Sequence, residues 1–128
     1  MIVVDASALV ALGEREPDAG PIMEALARRD AVISGVNYVE AGLILIGGGK
    51  LSAQPDFDRW LEKLSVTVHA DDGLARAALA AYLQFGKGIH PARLNLGDVF
   101  AYALAKTLNA PLLFKGGDFA LTDISAAV

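Results

Sequence analysis

Residues 1–10 read MIVVDASALV. Three apolar residues, Ile2, Val3 and Val4, form a short buried strand that runs straight into a carboxylate, Asp5. A helix begins near Ser7 and runs to about Gly13, and Glu16-Pro17-Asp18 breaks it. The same alternation continues downstream. A helix is expected over about 19–29, with Ile22, Met23 and Leu26 on one face. A strand follows at 31–34, and then a helix over about 36–46 that stops at Gly47-Gly48-Gly49. Next come a helix at 55–64, a strand at 66–69, an alanine-rich helix at 71–85, a loop at 86–96 and a helix at 97–108. The chain closes with a strand at 111–114, the turn Lys115-Gly116-Gly117-Asp118, and an edge strand at 122–125. Short apolar strands alternating with helices imply right-handed crossovers and a parallel sheet. The expected class is α/β, a three-layer α/β/α sandwich with a mostly parallel sheet of four to five strands. Ligands in such folds bind beyond the carboxyl ends of the strands. Asp5 lies just past the first strand and Asp118 just past the fourth, which puts two acids on one rim.

Bulk composition narrows the function. A chain of 128 residues, 54% hydrophobic and 20% charged, is expected to fold as one domain spanning 1–128 with a substantial core. It has no cysteine, which removes disulfides and thiolate metal sites from consideration. There is no basic-then-apolar leader and no apolar run of membrane-spanning length, so a cytoplasmic protein is expected. The net charge of −4 disfavours broad, non-specific nucleic-acid binding. It leaves room for a small site where cations offset acids, and for a basic protein partner.

Two further acids sit in apolar surroundings. Glu40 lies in VNYVEAGLILI, where its helical neighbours Val36, Leu43 and Ile44 would remove it from water. Burying it unpaired costs several kcal/mol, roughly, so it needs a cation or a proton. Asp98 opens the run VFAYALA. Each acid also has a structural explanation: Asp5 or Ser7 caps the first helix, Asp98 sits three residues after an Asn95 cap, Asp118 caps a terminal helix, and Glu40 pairs with a buried base. Taken together, the four supply hard oxygen donors suited to Mg²⁺ or Mn²⁺. With only two histidines, zinc is disfavoured. An all-carboxylate cluster suits phosphodiester hydrolysis, in which metal ions activate water and stabilise the leaving oxygen.

The segments VVDASALVAL, the Glu40 helix, LNLGDVFAYALA and LLFKGGDFALTDI resemble, in order and spacing along essentially the whole chain, the motifs of PIN-domain ribonucleases, and more narrowly VapC toxins. The resemblance implies a PIN-like fold, Mg²⁺- or Mn²⁺-dependent endoribonuclease activity on RNA, a homodimer, and inhibition by a VapB-type antitoxin. Asp5, Glu40 and Asp98 match the first three family acids. Asp118 is the only acid in its turn and takes the fourth role, although Gly116-Gly117 stands where relatives often carry an acid or Asn. Ser7 matches a small hydroxyl that follows the first acid and orients it or a metal-bound water.

Lys87 and Arg93, in the basic loop before Asp98, and Lys115 after the fourth strand are candidate contacts for RNA phosphates. Gly47-Gly48-Gly49-Lys50 fails as a phosphate loop, because Ile44 and Leu51 occupy required Gly and Ser/Thr positions. His69 and His90 are too few and too far apart for histidine catalysis, and the tyrosines, Trp60 and the phenylalanines suit a core or a dimer contact. A competing reading keeps the acidic pocket only as a socket for a basic partner segment. Another keeps the metals but cuts DNA.

Overall fold

The computed structural model describes residues 1–70 and 73–128. The described elements are β1 (Ile2–Val4), α1 (Ala6–Gly13), α2 (Ala19–Arg28), β2 (Ala31–Ser34), α3 (Gly35–Gly47), α4 (Gln54–Lys63), β3 (Val66–His69), α5 (Leu74–Phe85), α6 (Leu96–Leu108) and β4 (Leu112–Leu113). A 3₁₀ turn, Phe119–Leu121, follows. The strands form one parallel sheet in the order β3-β2-β1-β4. The expected three-layer parallel architecture is the one observed.

Strand periodicity sorts the core into two halves. Ile2, Val4, Ala31, Ile33 and Leu113 pack on one face with residues of α1, α2, α3 and α4. Val3, Val32 and Leu112 point to the other face, against α5 and α6. Successive strand side chains alternate between faces, so β1, β2 and β4 each feed both layers, while the edge strand β3 contributes Val66 to the first. Helices supply matching i, i+4 pairs: Ile22 with Leu26 on α2, and Phe57 with Leu61 on α4, are all buried. Pro55 sits in the first turn of α4, where its missing N–H breaks no helical bond. Asn109, left-handed at φ 50°, ends α6.

The chain steps outward from β1 to β2 to β3, then returns past β1 to place β4 on its other side. This reversal makes the carboxyl ends of β1 and β4, beside Asp5, the switch point at which open α/β sheets generally bind ligands.

The C-terminal segment departs from expectation. Residues 122–125 form no strand among the described residues. The segment turns through 119–121, and its contact with the sheet is a single parallel bridge between Leu112 and Ala126. The reason lies in Asp123, whose carboxylate is held by the Tyr102 hydroxyl at 2.5 Å and the Lys106 ammonium at 3.0 Å. These bonds from α6 draw the chain off the sheet edge until Ser125. In the helix expected at 71–85, Asp71 and Asp72 lie outside the described residues, and α5 begins at Leu74 after Gly73. Among the described residues, no helix is long and apolar enough to cross a membrane.

The loop between α5 and α6 is closed by a bridge between Gly86 and Leu94. Gly86 donates its N–H to the Tyr82 carbonyl at 2.7 Å, and an added Cβ would collide with that carbonyl and lie 2.8 Å from the Tyr82 ring. Gly86→Ala is therefore expected to cost about 1–3 kcal/mol in urea unfolding; an unchanged midpoint would contradict this packing.

Candidate functional site

All four strands end on the same edge, and the candidate acids gather around it. Asp5 remains in the sheet ladder through its N–H, which donates to the Leu113 carbonyl at 2.9 Å. Its carboxylate turns back to cap α1, accepting from the Ser7 N–H at 3.0 Å. The side chain is only 4% exposed. Burial pushes its carboxyl above the usual range, while the Ser7 hydroxyl and the N–H groups of Ser7 and Ala6 pull it back. The Ser7 oxygen also accepts from the Lys115 N–H at 3.0 Å, which ties the turn after β4 to α1. The cap and the orienting hydroxyl are thus one arrangement.

Glu40 projects from α3 toward the first turn of α6. Its Oε1 accepts from Asn37 Nδ2 at 2.8 Å. The same amide nitrogen donates to the Gly97 carbonyl at 2.9 Å. A Cβ on Gly97 would fall on the Glu40 carboxylate, so glycine makes the space that group occupies. Burial raises the Glu40 carboxyl above its ordinary value, the Asn37 bond lowers it, and the charge of Asp5 adds to the rise.

Asp98 forms a capping box with Asn95. Its carboxylate accepts from the Asn95 N–H at 3.0 Å, and its own N–H donates to Asn95 Oδ1 at 2.9 Å. Burial pushes the carboxyl up to about 6; the Asn95 bond opposes this, and the charges of Asp5, Asp118 and Glu40 reinforce it. Residues from 5 to 118 thus act on one group. Asp118 is exposed and begins the 3₁₀ turn without a side-chain capping bond.

A family model for the PIN domain matches residues 2–124. Ribonuclease VapC of Mycolicibacterium smegmatis is 43% identical over 128 residues, covering 98% of each chain. Ribonuclease VapC30 of Mycobacterium tuberculosis is 44% identical, covering 97% of this chain and 96% of the relative. The chain belongs to the PIN-domain family of VapC ribonucleases. The crystal structure of Mycobacterium tuberculosis VapC20, described as a Sarcin-Ricin loop cleaving toxin, shares the fold with a TM-score of 0.75 at 19% identity, covering 97% of this chain and 96% of that one. A toxin–antitoxin complex from Klebsiella pneumoniae aligns with a TM-score of 0.66 at 18% identity, covering 94% and 91%.

Within this PIN fold the surroundings of Glu40 differ from the sequence expectation. Leu43 is 70% exposed and Ile44 47% exposed, so they do not bury the acid. Its shelter comes from Gly97 and Asn37, because the face of α3 that carries Glu40 meets α6. Sequence reading missed Asn37, Ser34 and Gly97. The available signal was a polar residue one helical turn before Glu40 and a glycine directly before Asp98.

The basic candidates are scattered. The Lys115 ammonium pairs with Glu16 at the α1–α2 turn. Lys87 lines an apolar groove of about 500 Å³ between α5 and α6, together with Leu79, Tyr82 and Leu96. Arg93 is exposed and left-handed at φ 55°, two residues before Asn95. A groove of about 630 Å³ around Met1, Asp30 and Val66 lies at the opposite end of the sheet from the acids.

Among the described residues, no three His, Asp or Glu side chains stand close enough together to hold a metal ion as they are. The donor set nevertheless fits a hard divalent cation in kind: all its donors are oxygens, they repel one another, and among the described residues none is ion-paired with Lys or Arg.

The raised Asp98 value sets a pH dependence. Its folded value of about 6 exceeds the reference 3.8, so its contribution to stability is full below the reference value and is lost as pH rises through about 6. Asp5 and Glu40 shift in the same direction. In EDTA, scanning calorimetry is expected to show Tm falling between about pH 4.5 and 7.5. Asp98→Asn keeps an oxygen for the Asn95 N–H, and should flatten the fall and melt higher than the parent at about pH 7.5. A parent Tm that rises over this range would contradict the repulsive pocket.

Proposed function

We propose that this chain is a divalent-metal-dependent endoribonuclease and the toxin of a type II toxin–antitoxin pair. The observation that carries the reading is that Asp5, Glu40, Asp98 and Asp118 lie near one sheet edge of a PIN domain spanning 2–124, where Asp98, raised chiefly by burial, also feels the charges of the other three. Relatives at 43–44% identity, named as ribonucleases, supply the substrate class.

In this reading Asp5 and Asp98 would be the principal ligands, with Glu40 and Asp118 as further oxygen donors. Mg²⁺ or Mn²⁺, when bound, supplies an acidified water and charge stabilisation at the leaving oxygen. The protein's part is to place donors. Asp5 is held by the ladder and by Ser7. Asp98 is held by the Asn95 N–H, and Glu40 by Asn37. Water adds to phosphorus as one ester P–O bond breaks, and the departing oxygen takes up a proton. Arg93, beside the first turn of α6, would meet an RNA phosphate, with Lys87 further along the same loop. Lys115 would do so only on leaving Glu16.

The partners follow from charge and exposure. A net charge of −4 and an acidic rim favour a basic antitoxin segment. Exposed Val39, Leu43 and Ile44 on α3, with Leu79 and Leu83 on α5, favour a homodimer. A second reading draws on the open spacing of the acids, in which no three already form an ion-sized cluster among the described residues. The pocket would then receive a lysine or arginine side chain, and cleavage would be lost.

Labelled RNA and single-stranded DNA incubated with Mg²⁺, Mn²⁺ or EDTA test the reading. The parent is expected to cut RNA internally, only with metal. Asp5→Asn and Asp98→Asn should each fall at least about a hundredfold while remaining folded. Full cleavage by Asp98→Asn, or cleavage in EDTA, would contradict it. Tight binding of a basic peptide with no Mn²⁺ uptake in calorimetry would favour the socket.

A further inference from the structure

Asn37 is fully buried, with 0% exposure, one turn before Glu40. Its amide is fully engaged. Oδ1 accepts from the Ser34 hydroxyl at 2.6 Å, and Nδ2 donates to Glu40 Oε1 at 2.8 Å and to the Gly97 carbonyl at 2.9 Å. The orientation of the amide is set by its partners. A flipped amide would aim its oxygen at a carboxylate and a carbonyl, both acceptors. Ser34, also 0% exposed, is itself anchored: it ends β2 and caps α3, accepting from the Asn37 N–H at 3.0 Å.

A tie between α3 and α6 needs only the bond to Gly97. The second N–H is directed at Glu40, and Gly97 independently lacks the Cβ that would displace that carboxylate. Two features, sixty residues apart in the chain, converge on one oxygen pair. We infer that Asn37 is a positioning residue for cleavage: Ser34 fixes its amide, and the amide holds the Glu40 carboxylate in the space left by Gly97, on the side facing the other acids. The inference rests on the metal-dependent ribonuclease reading and adds a residue to it. Groups that orient metal ligands typically contribute about 10–100-fold to metal affinity or activity.

The test is Mn²⁺ titration calorimetry on the parent, Asn37→Leu, Glu40→Gln and the double variant, alongside kcat and KM on RNA. Asn37→Leu is expected to weaken Mn²⁺ binding by about tenfold and to lower kcat similarly, with KM within about twofold. The double variant should bind Mn²⁺ within about twofold of Glu40→Gln alone, because Asn37 acts through Glu40. Parent-like Mn²⁺ affinity in Asn37→Leu overturns the inference, as does a loss that adds to that of Glu40→Gln. If Asn37→Leu does not fold, Gly97→Ala takes its place under the same criteria, since its methyl group claims the same space in a helix that alanine favours. A parent that takes up no Mn²⁺ overturns the metal reading and the inference with it, whereas failure confined to the variants overturns the inference alone.

Discussion

Burial of carboxylates close to one another is the constraint around which the functional edge of this molecule is arranged. Asp5 is almost wholly removed from water, and Asp98 is raised to about 6 by burial and then by the charges of three other acids. Burying like charges opposes folding, and the protein offsets the cost locally. The Ser7 N–H, the Asn95 N–H and the Asn37 amide each donate to one of these groups. Hydrogen bonds to charged groups contribute about 1.5–3 kcal/mol each. Asp5 and Asp98 also stand at the starts of α1 and α6, where the helix dipole favours negative charge. What remains uncompensated is what a divalent cation would relieve.

The parallel sheet makes this gathering possible. All strands point one way, so Asp5, the Ser34-Gly35 start of α3 and the turn leading to Asp118 arrive at one edge. Reversal of strand order at β1 puts Asp5 at the switch point of the sheet. The sheet alone would not bring in Asp98, since α6 belongs to the opposite layer. Contact between α3 and α6, tight enough to require glycine at position 97, carries the third acid to the edge. Position on the sheet and contact between layers are thus separate requirements.

How much was legible depended on the range of the interaction. β1 and β2 could be read from buried apolar runs bounded by turns, whereas β3, a half-exposed edge strand that carries Thr67 and His69, was read from its β-branched Val66-Thr67-Val68 run. Asp5 stood out as an acid ending an apolar run, and its cap on α1 is the local reading that the structure shows. The Asn95–Asp98 box spans three residues and was equally accessible. Glu40 was recognised for a reason the structure does not support: helical spacing suggested burial by Leu43 and Ile44, which face outward. Periodicity identifies a face but not what covers it. Asn37 and Gly97 escaped because their importance lies in a contact across sixty residues. The C-terminal strand failed for a related reason, since bonds from Tyr102 and Lys106 to Asp123 override a weak local β preference. Lys115 looked free in sequence, and only folding brings Glu16 to it.

The central claim is that chain segments far apart in sequence deliver their carboxylates to one cation-binding pocket. Its most direct test is a crystal grown with Mn²⁺, with diffraction recorded on either side of the manganese absorption edge. The account predicts an anomalous peak coordinated by both Asp5 and Asp98, with Glu40 close to it. Manganese bound elsewhere, or no peak at the sheet edge when the site is saturated by calorimetry, would contradict it.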